Sequence, residues 1–392
     1  MKISKVTAFS VKDGDPHVVS QAAAGKENLP GSDYHGIAPH RQLYSNRSQA
    51  ALVRVETDEG VVGWGEAQAP VGTEIVLSVI ADVVGPAVLG QDPLATTARH
   101  RDMYETNRVR GQIGGYQQDA IAAVDTALWD IRGRVAGVSI ADLLGGRLRD
   151  RLPAYVTGLA APTPEGRQAE AAGWVEQGFG VKPALGQGVD LDAAEIARLR
   201  EAMGPGAWLA LDALWGYTLP QAVALAHRLE EAQVAFFEAP LAPEDLAGHR
   251  RLRDATAVPI AVGEPLRTRH QFLPWFQGEA LDVAQPDLMR NGVTETAAIA
   301  VLAETFHTPL ALHAGVVTVV GMAATWQVAS TLPGFAIQEF QPGMLDRFAP
   351  LSSIGLEVSG GELVVPTGPG LGIDIDVDRV AERSTQVVGL TA

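Results

Sequence analysis

Three short apolar runs in this chain each end in an acid. Ala207-Trp208-Leu209-Ala210-Leu211 leads into Asp212, Val234-Ala235-Phe236-Phe237 into Glu238, and Val258-Pro259-Ile260-Ala261-Val262-Gly263 into Glu264. Both intervals between the acids are 26 residues. Three carboxylates gathered in one place repel, and a hard divalent cation with oxygen ligands relieves the repulsion. Mg²⁺ fits, because it takes a few carboxylates and shares its other positions with water and substrate oxygen; Mn²⁺ favours similar ligands. Such a cation acts as a Lewis acid on a bound carboxylate or carbonyl. It stabilises the enediolate oxygen that forms when the neighbouring carbon loses its proton. An acid that merely caps the next helix is the competing explanation, and for one residue it is common. It does not account for three at one spacing.

The beat continues on both sides. Leu281-Asp282-Val283-Ala284-Gln285-Pro286 leads into Asp287, Pro309-Leu310-Ala311-Leu312 into His313, and Phe335-Ala336-Ile337-Gln338 into Glu339, at intervals of 23, 26 and 26 residues. Upstream, Gly178-Phe179-Gly180-Val181 leads into Lys182, 30 residues before Asp212. His313 is a sensible base, since an unperturbed imidazole titrates near neutrality. Asp287 is placed to orient the ring and stabilise its charged form. Glu339 would face a substrate carboxylate only if protonated, a state that burial among other acids can impose. A lone His in an apolar stretch is as readily a satisfied core residue; flanking acids in phase favour the dyad.

A strand, a helix and two short loops fill about 26 residues. Continuous apolar runs at that spacing are parallel strands buried on both faces. The arrangement is a β/α barrel, whose catalytic groups sit at the C-terminal strand ends. Its first strand begins near Leu152, and Thr163-Pro164 gives an N-cap and N1 proline for the first outer helix. The first 115 or so residues lack the beat. They read as an N-terminal strand, a hairpin turning at Asp58-Glu59-Gly60, and helices over 73–88, 93–107 and 117–135. Residues 13–47 form a long irregular segment, functional or merely solvated, whose Tyr34, His35, His40 and Arg41 are candidates to face a ligand. The expected division is 1–125, an α+β unit, 126–350, the barrel, and 351–392, a C-terminal segment returning to the first unit.

The chain has 392 residues, formal net charge −16 and no cysteine. Nucleic acid and anionic membranes are poor partners for that charge, and disulfides, thiolate chemistry and Cys-ligated zinc are excluded. The uncharged stretch 310–329, His313 aside, is punctuated by Gly315 and Gly321 and fits a buried strand and helix rather than a membrane span. The N-terminus has no apolar signal region, consistent with a cytoplasmic protein.

The ordered motifs resemble the enolase superfamily, mandelate racemase-like subgroup. They are Val181-Lys182, Leu211-Asp212-Ala213, Phe237-Glu238-Ala239-Pro240, Gly263-Glu264, Gln285-Pro286-Asp287, Leu312-His313 and Gln338-Glu339. Thr57-Asp58-Glu59-Gly60, Gly63-Trp64-Gly65-Glu66, Ala127-Leu128-Trp129-Asp130-Ile131 and Gly368-Pro369-Gly370-Leu371-Gly372 extend the resemblance over essentially the whole chain. It implies a modified TIM (β/α)7β barrel under an N-terminal α+β capping domain completed by the C-terminal segment. It implies Mg²⁺ at Asp212, Glu238 and Glu264, a His313–Asp287 dyad, an electrophilic Glu339, substrate choice by capping loops, and a homo-oligomer. The superfamily pairs a Lys or His base with Mg²⁺.

One departure is informative. The subgroup often carries Lys-x-Lys on the second strand, the second Lys being a base on the opposite face; here the stretch is Lys182-Pro183-Ala184. Positions 182 and 184 share parity and point inward. Ala184 moves no proton, and Pro183, lacking an N–H, ends regular pairing. Lys182 then remains to clamp a substrate carboxylate or to partner a metal ligand. One base favours a dehydratase: α-proton abstraction from a small anionic carboxylate, then loss of the β-hydroxyl to give a 2-keto-3-deoxy acid. A racemase, epimerase or lactone cycloisomerase, or a catalytically idle paralogue, are the alternatives.

Overall fold

The ring of staves closes on the strand Arg151–Thr157, which pairs in parallel with Gly180–Lys182 on one side and Gln338–Phe340 on the other. A parallel bridge from Val181 to Leu209 leads to Leu211–Asp212, then Phe237–Glu238, Ile260–Val262 and Val283–Ala284 follow in order, all parallel. The seventh stave, around Leu310, is held by single parallel bridges to Ala284 and Phe335. Seven helices from Pro164–Glu176 to Val319–Thr331 alternate with these staves. The fold is the α/β capped barrel expected from the sequence. This computed structural model describes residues 1–14, 26–37 and 42–392.

Regular strands are shorter than the apolar runs that announce them. The runs nevertheless carry ladder bonds below the strands, such as Ala210 N to Val181 O at 3.0 Å and Ala235 N to Leu209 O at 2.7 Å. Tyr155, Ala210, Phe236, Ala261, Val283, Ala311 and Ile337 form one interior cluster that fills the barrel, with Tyr155 stacked on Trp208 at 4.7 Å between centroids. Strand periodicity of two puts residue i + 2 on the same face, one layer higher. Ala210, Phe236, Ala311 and Ile337 therefore lift Asp212, Glu238, His313 and Glu339 into the layer above the plug. At Gly263 the inward position has no room. A Cβ there would lie 2.6 Å from the Gln285 backbone, and the acid falls to the next residue, Glu264.

The cap is an antiparallel sheet ordered Ser384–Thr391, Ile3–Asp13, Ser48–Thr57, Val62–Ala67. The helix Gly115–Ala136 packs against it so closely that a Cβ on Gly65 would sit 1.9 Å from Ala123 O. This helix runs across the division expected at 125/126. Asp130 within it accepts from Trp64 N (2.9 Å) and Leu371 N (2.9 Å), tying the hairpin and the C-terminal glycine loop to one carboxylate. Glu66, at the sheet's barrel end, caps Val319–Thr331 by accepting from Thr318 N (2.8 Å), Thr318 Oγ1 (2.6 Å) and Gly321 N (2.9 Å).

Two expectations change. Segment 13–47 is not irregular throughout: Lys26–Asn28, Tyr34–Ile37 and Gln42–Ser45 form an antiparallel meander, whose short polar strands carry too little alternation to be seen in sequence. The C-terminal segment does not return to the cap as a whole. Glu362–Val364 pairs antiparallel with Arg151–Thr157 at the base of the barrel, and only Ser384–Thr391 adds to the capping sheet. Among the described residues no helix is long and apolar enough to cross a membrane.

Candidate active site

A cavity of about 170 Å³ opens where the cap meets the barrel mouth. The staves contribute Asp212, Glu264, His313 and Glu339 to its lining. The cap contributes Gln42, Leu43, Tyr44, Arg47 and Gln68.

The His–Asp pair is formed. His313 Nδ1 lies 2.8 Å from Asp287 Oδ2, beneath the cavity wall, and Nε2 faces Glu264 Oε1 at 3.9 Å and Glu339 Oε2 at 4.0 Å. Asp287 also caps its own helix through Met289 N at 2.7 Å, which fixes the carboxylate. Burial lowers the basicity of His313, but the carboxylates of Glu264, Glu339 and Asp287 outweigh it and push the imidazole up to about 10.

The three acids of the repeat come to neighbouring staves, with Glu238 opposite Asp212 in the parallel ladder. They do not form a closed ligand cluster. Among the described residues no group of three His, Cys, Asp or Glu lies close enough to hold a metal as it stands. Much of the repulsion expected to require a metal is met by protein cations. Lys182 Nζ is 2.5 Å from Glu238 Oε2, Gln285 Nε2 donates to the same oxygen at 2.7 Å, and Arg290 NH2 is 3.2 Å from Glu264 Oε1. Burial still pushes Glu238 up against the pull of Lys182. Burial would raise Glu264 too, but His313 and Arg290 hold it below the usual carboxylate range. Asp212 is pushed up to about 8, by burial and by the charge of Glu238. A half-buried carboxylate so disfavoured, in an all-oxygen donor set, is what an added hard cation stabilises. A cation there would also oppose the carboxylate field that keeps His313 protonated. The residues fit Mg²⁺ or Mn²⁺.

Two site expectations are corrected. Lys182, read as a clamp on substrate or as a partner for a metal ligand, is 1% exposed and does not line the cavity, which goes against the first of these and favours the second. Its ammonium serves Glu238 and, at 2.9 Å, Glu339. Regular strand pairing stops at Lys182, and Ala184 resumes contact through one bridge to Asp212, as Pro183 foretold. Glu339 is held ionised rather than protonated. Burial opposes its charge, but Lys182, His313 and the Ala314 N–H, which donates to it at 2.9 Å, keep it below the usual range.

Tyr34 and His35 do not reach the cavity. Tyr34 OH accepts from Gly72 N at 3.0 Å, and buried His35 pairs with Asn46 Oδ1 at 2.8 Å. His40 and Arg41 lie outside the described residues. Arg290, Tyr44, Gln68 and Gln341 line the cavity without having been singled out in the sequence. Arg290 stands one helical turn beyond Asp287, and Gln68 and Gln341 stand two residues beyond Glu66 and Glu339, so the helical and strand periods could have found three of the four.

Comparison with known proteins agrees with this architecture. The model described as mandelate racemase/muconate lactonizing enzyme, N-terminal domain, matches residues 36–145, and that described as enolase C-terminal domain-like matches 166–380. The D-galactarolactone cycloisomerase of Agrobacterium fabrum is 33% identical over 350 residues, covering 86% of this chain and 92% of its own length. The D-galactonate dehydratase of Ralstonia pickettii is 33% identical over 356 residues, covering 86% and 91%. A crystal structure of an enolase-superfamily member from Agrobacterium tumefaciens superposes with a TM-score of 0.93 at 33% identity, over 100% of both chains. That of the 3,6-anhydro-D-galactonate cycloisomerase from Zobellia galactanivorans gives 0.84 at 28% identity, over 98% and 100%. The capped barrel, its ordered strand-end acids and these relatives make the chain a member of the enolase superfamily, in the mandelate racemase/muconate lactonizing enzyme subgroup.

Proposed function

We propose that the protein is a Mg²⁺-dependent acid-sugar dehydratase, with His313 as base. The carrying observation is that one His–Asp dyad is formed while the opposite face offers no second base. Ala184 carries no titratable group. Burial lowers the basicity of Lys182, but Glu238 and Glu339 raise it well above the ordinary range overall, so its amine stays protonated. That combination supports elimination over racemisation.

Asp287 accepts the Nδ1–H of His313, which leaves Nε2 as the basic atom on the cavity side. In its neutral form Nε2 takes the proton from the carbon next to the substrate carboxylate. The resulting imidazolium returns that proton to the departing β-hydroxyl, which leaves as water. The C–H and C–O bonds break, a carbon–carbon double bond forms, and the enol product tautomerises to the 2-keto acid. A divalent ion held by Asp212, Glu238 and Glu264 would supply Lewis-acid stabilisation of the charge on the substrate oxygens. Lys182 positions Glu238 and Glu339. The phenol of Tyr44 is raised by burial and by Asp212 and Glu264, so it remains a neutral donor at the mouth.

Lactone cycloisomerisation by the same residues is the second reading, supported by the relative from Agrobacterium fabrum. The deciding experiment is a library of aldonic and aldaric acids and their lactones assayed with Mg²⁺ in D2O. Appearance of a 2-keto-3-deoxy product supports dehydration. Deuterium uptake or ring opening without loss of water supports the isomerase, and inactivity on every member counts against both.

A further inference from the structure

A second cavity, of about 300 Å³, opens on the outer seam between cap and barrel, and it shares no lining residue with the first. The cap helix Thr96–Glu105 gives it His100, Arg101 and Tyr104, and Arg108 follows from the next turn. The barrel helices Thr268–Gln277 and Leu288–Thr305 give it Arg269 and Glu295. Small-molecule sites begin at about this size.

His100 is 7% exposed and lines this cavity, yet it has no hydrogen-bond partner among the described residues. Its nitrogens are not sealed in, in contrast to the orphaned Nε2 of His249. Asp125, a buried acid close enough for His100 to act on its charge, already accepts from Thr294 N at 2.8 Å and Thr294 Oγ1 at 2.6 Å. Buried polar side chains are normally paired, and an imidazole always has at least one N–H to donate. An unmet donor in a cavity wall is completed by an acceptor from outside the chain.

Charge decides which acceptor. Both acids of the lining are taken. Glu295 holds Arg269 in a two-pronged pair, Nε to Oε1 at 2.8 Å and NH2 to Oε2 at 2.7 Å, and Glu105 holds Arg101 at 2.9 Å. Arg108 has no carboxylate partner among the described residues; its guanidinium lies 5.7 Å from the centroid of the Tyr104 ring. One small cavity thus combines an unmatched cation with a free N–H donor, in a chain of formal net charge −16. A cationic ligand would find no free carboxylate there, and an apolar one would leave His100 unpaired.

We infer that this seam is a second ligand site, for a small oxyanion held by His100 and Arg108. A phosphate group and a carboxylate share the required chemistry, since both accept charge-assisted hydrogen bonds. Tyr104 and His270, whose rings stack at 6.3 Å between centroids, give the rest of such a molecule a flat wall. The occupant touches cap and barrel together and so resists their separation. No step of the dehydration uses this site, so it stands or falls apart from that reading.

Calorimetric titration of the full chain with inorganic phosphate and with succinate, at constant ionic strength, tests the assignment in wild type, His100→Phe, Arg108→Gln and Arg47→Gln. The last substitution alters the active-site cavity instead. Wild type is expected to bind at least one of the two anions with a Kd of about 1 mM or tighter, and to melt at a higher temperature in its presence. His100→Phe and Arg108→Gln each weaken this binding about tenfold or more, as the loss of one charge-assisted hydrogen bond does. Arg47→Gln leaves it within about twofold, as expected of a distant site. Arg108 is exposed, so its variant keeps the test open should His100→Phe fail to fold. Binding of phosphate alone identifies a phosphate ester, and binding of succinate alone a carboxylate metabolite. No saturable binding of either anion, equal binding in wild type and the seam variants, or binding lost in Arg47→Gln instead overturns the inference.

Discussion

Replacing Lys182 by Met removes one ammonium from between two carboxylates. Its side chain is 1% exposed, and those of Glu238 and Glu339 are each 2% exposed, at 2.5 and 2.9 Å from Nζ. Removing one partner of a buried ion pair costs about 3–5 kcal/mol, because the remaining charge is left uncompensated. With about 2.1 cal/mol/K of unfolding entropy per residue, the 392 residues give roughly 0.8 kcal/mol/K. If cap and barrel unfold together, Tm falls by about 4–6 °C. The window follows from the shifts. Glu339 is depressed, so its contribution is present above its unfolded pKa and is lost as pH falls through its folded pKa. Lys182 is elevated, so its contribution is present below its unfolded pKa and is lost as pH rises through its folded pKa. The gap between wild type and variant is therefore widest between about pH 5 and 10 and closes under acid, where the orphaned carboxyls take up protons. Calorimetry in EDTA from pH 4 to 9 measures it. A loss under 1 °C at pH 7, or one that does not shrink at pH 4, refutes the assignment of Lys182 as the counter-ion of these acids.

Other outcomes follow from the same geometry. His313→Asn lowers turnover of any accepted acid by about 10²–10⁴-fold, with binding retained in calorimetry; undiminished turnover would remove His313 as the base. Millimolar Mg²⁺ raises the wild-type Tm, by as much as about 2.7 kcal/mol of stability at a hundredfold excess over Kd, and Asp212→Asn abolishes the shift; an equal rise in both proteins in thermal melts would place the ion elsewhere. Burial pushes Glu66 up to about 7, so this group makes the fold less stable as pH rises from about 4.5 to 7, by up to roughly 3 kcal/mol. Glu66→Gln lowers stability overall but flattens that slope in urea titrations at pH 5 and 8; an unchanged slope contradicts the shift. Gly65→Ala forces a methyl against Ala123 O and costs about 1–3 kcal/mol or more, read as a lower urea midpoint; a neutral substitution would mean the sheet and helix stand farther apart.

The sequence by itself determined the barrel, the order of its staves, and which residue ends each one. Burial on both faces demands continuous apolar runs, and the strand–helix repeat returns each run to the same height. Asp212, Glu238, Asp287, His313 and Glu339 were legible for that reason, and the Thr163 cap, read from its proline, is present. The pairing of partners was decided only in three dimensions. Lys182 and Glu339 lie at opposite ends of the barrel sequence and meet because the first and last staves close the ring. That closure puts an ammonium beside Glu339 and keeps it ionised, whatever its acid neighbours would impose in a linear view. Likewise Arg290 reaches Glu264 from a helix turn, Asp130 ties Trp64 to Leu371, and the polar meander supplies Tyr44 to the mouth. These are contacts between segments whose local pattern carries no mark of the other, since periodicity records which face is buried but not what it is buried against.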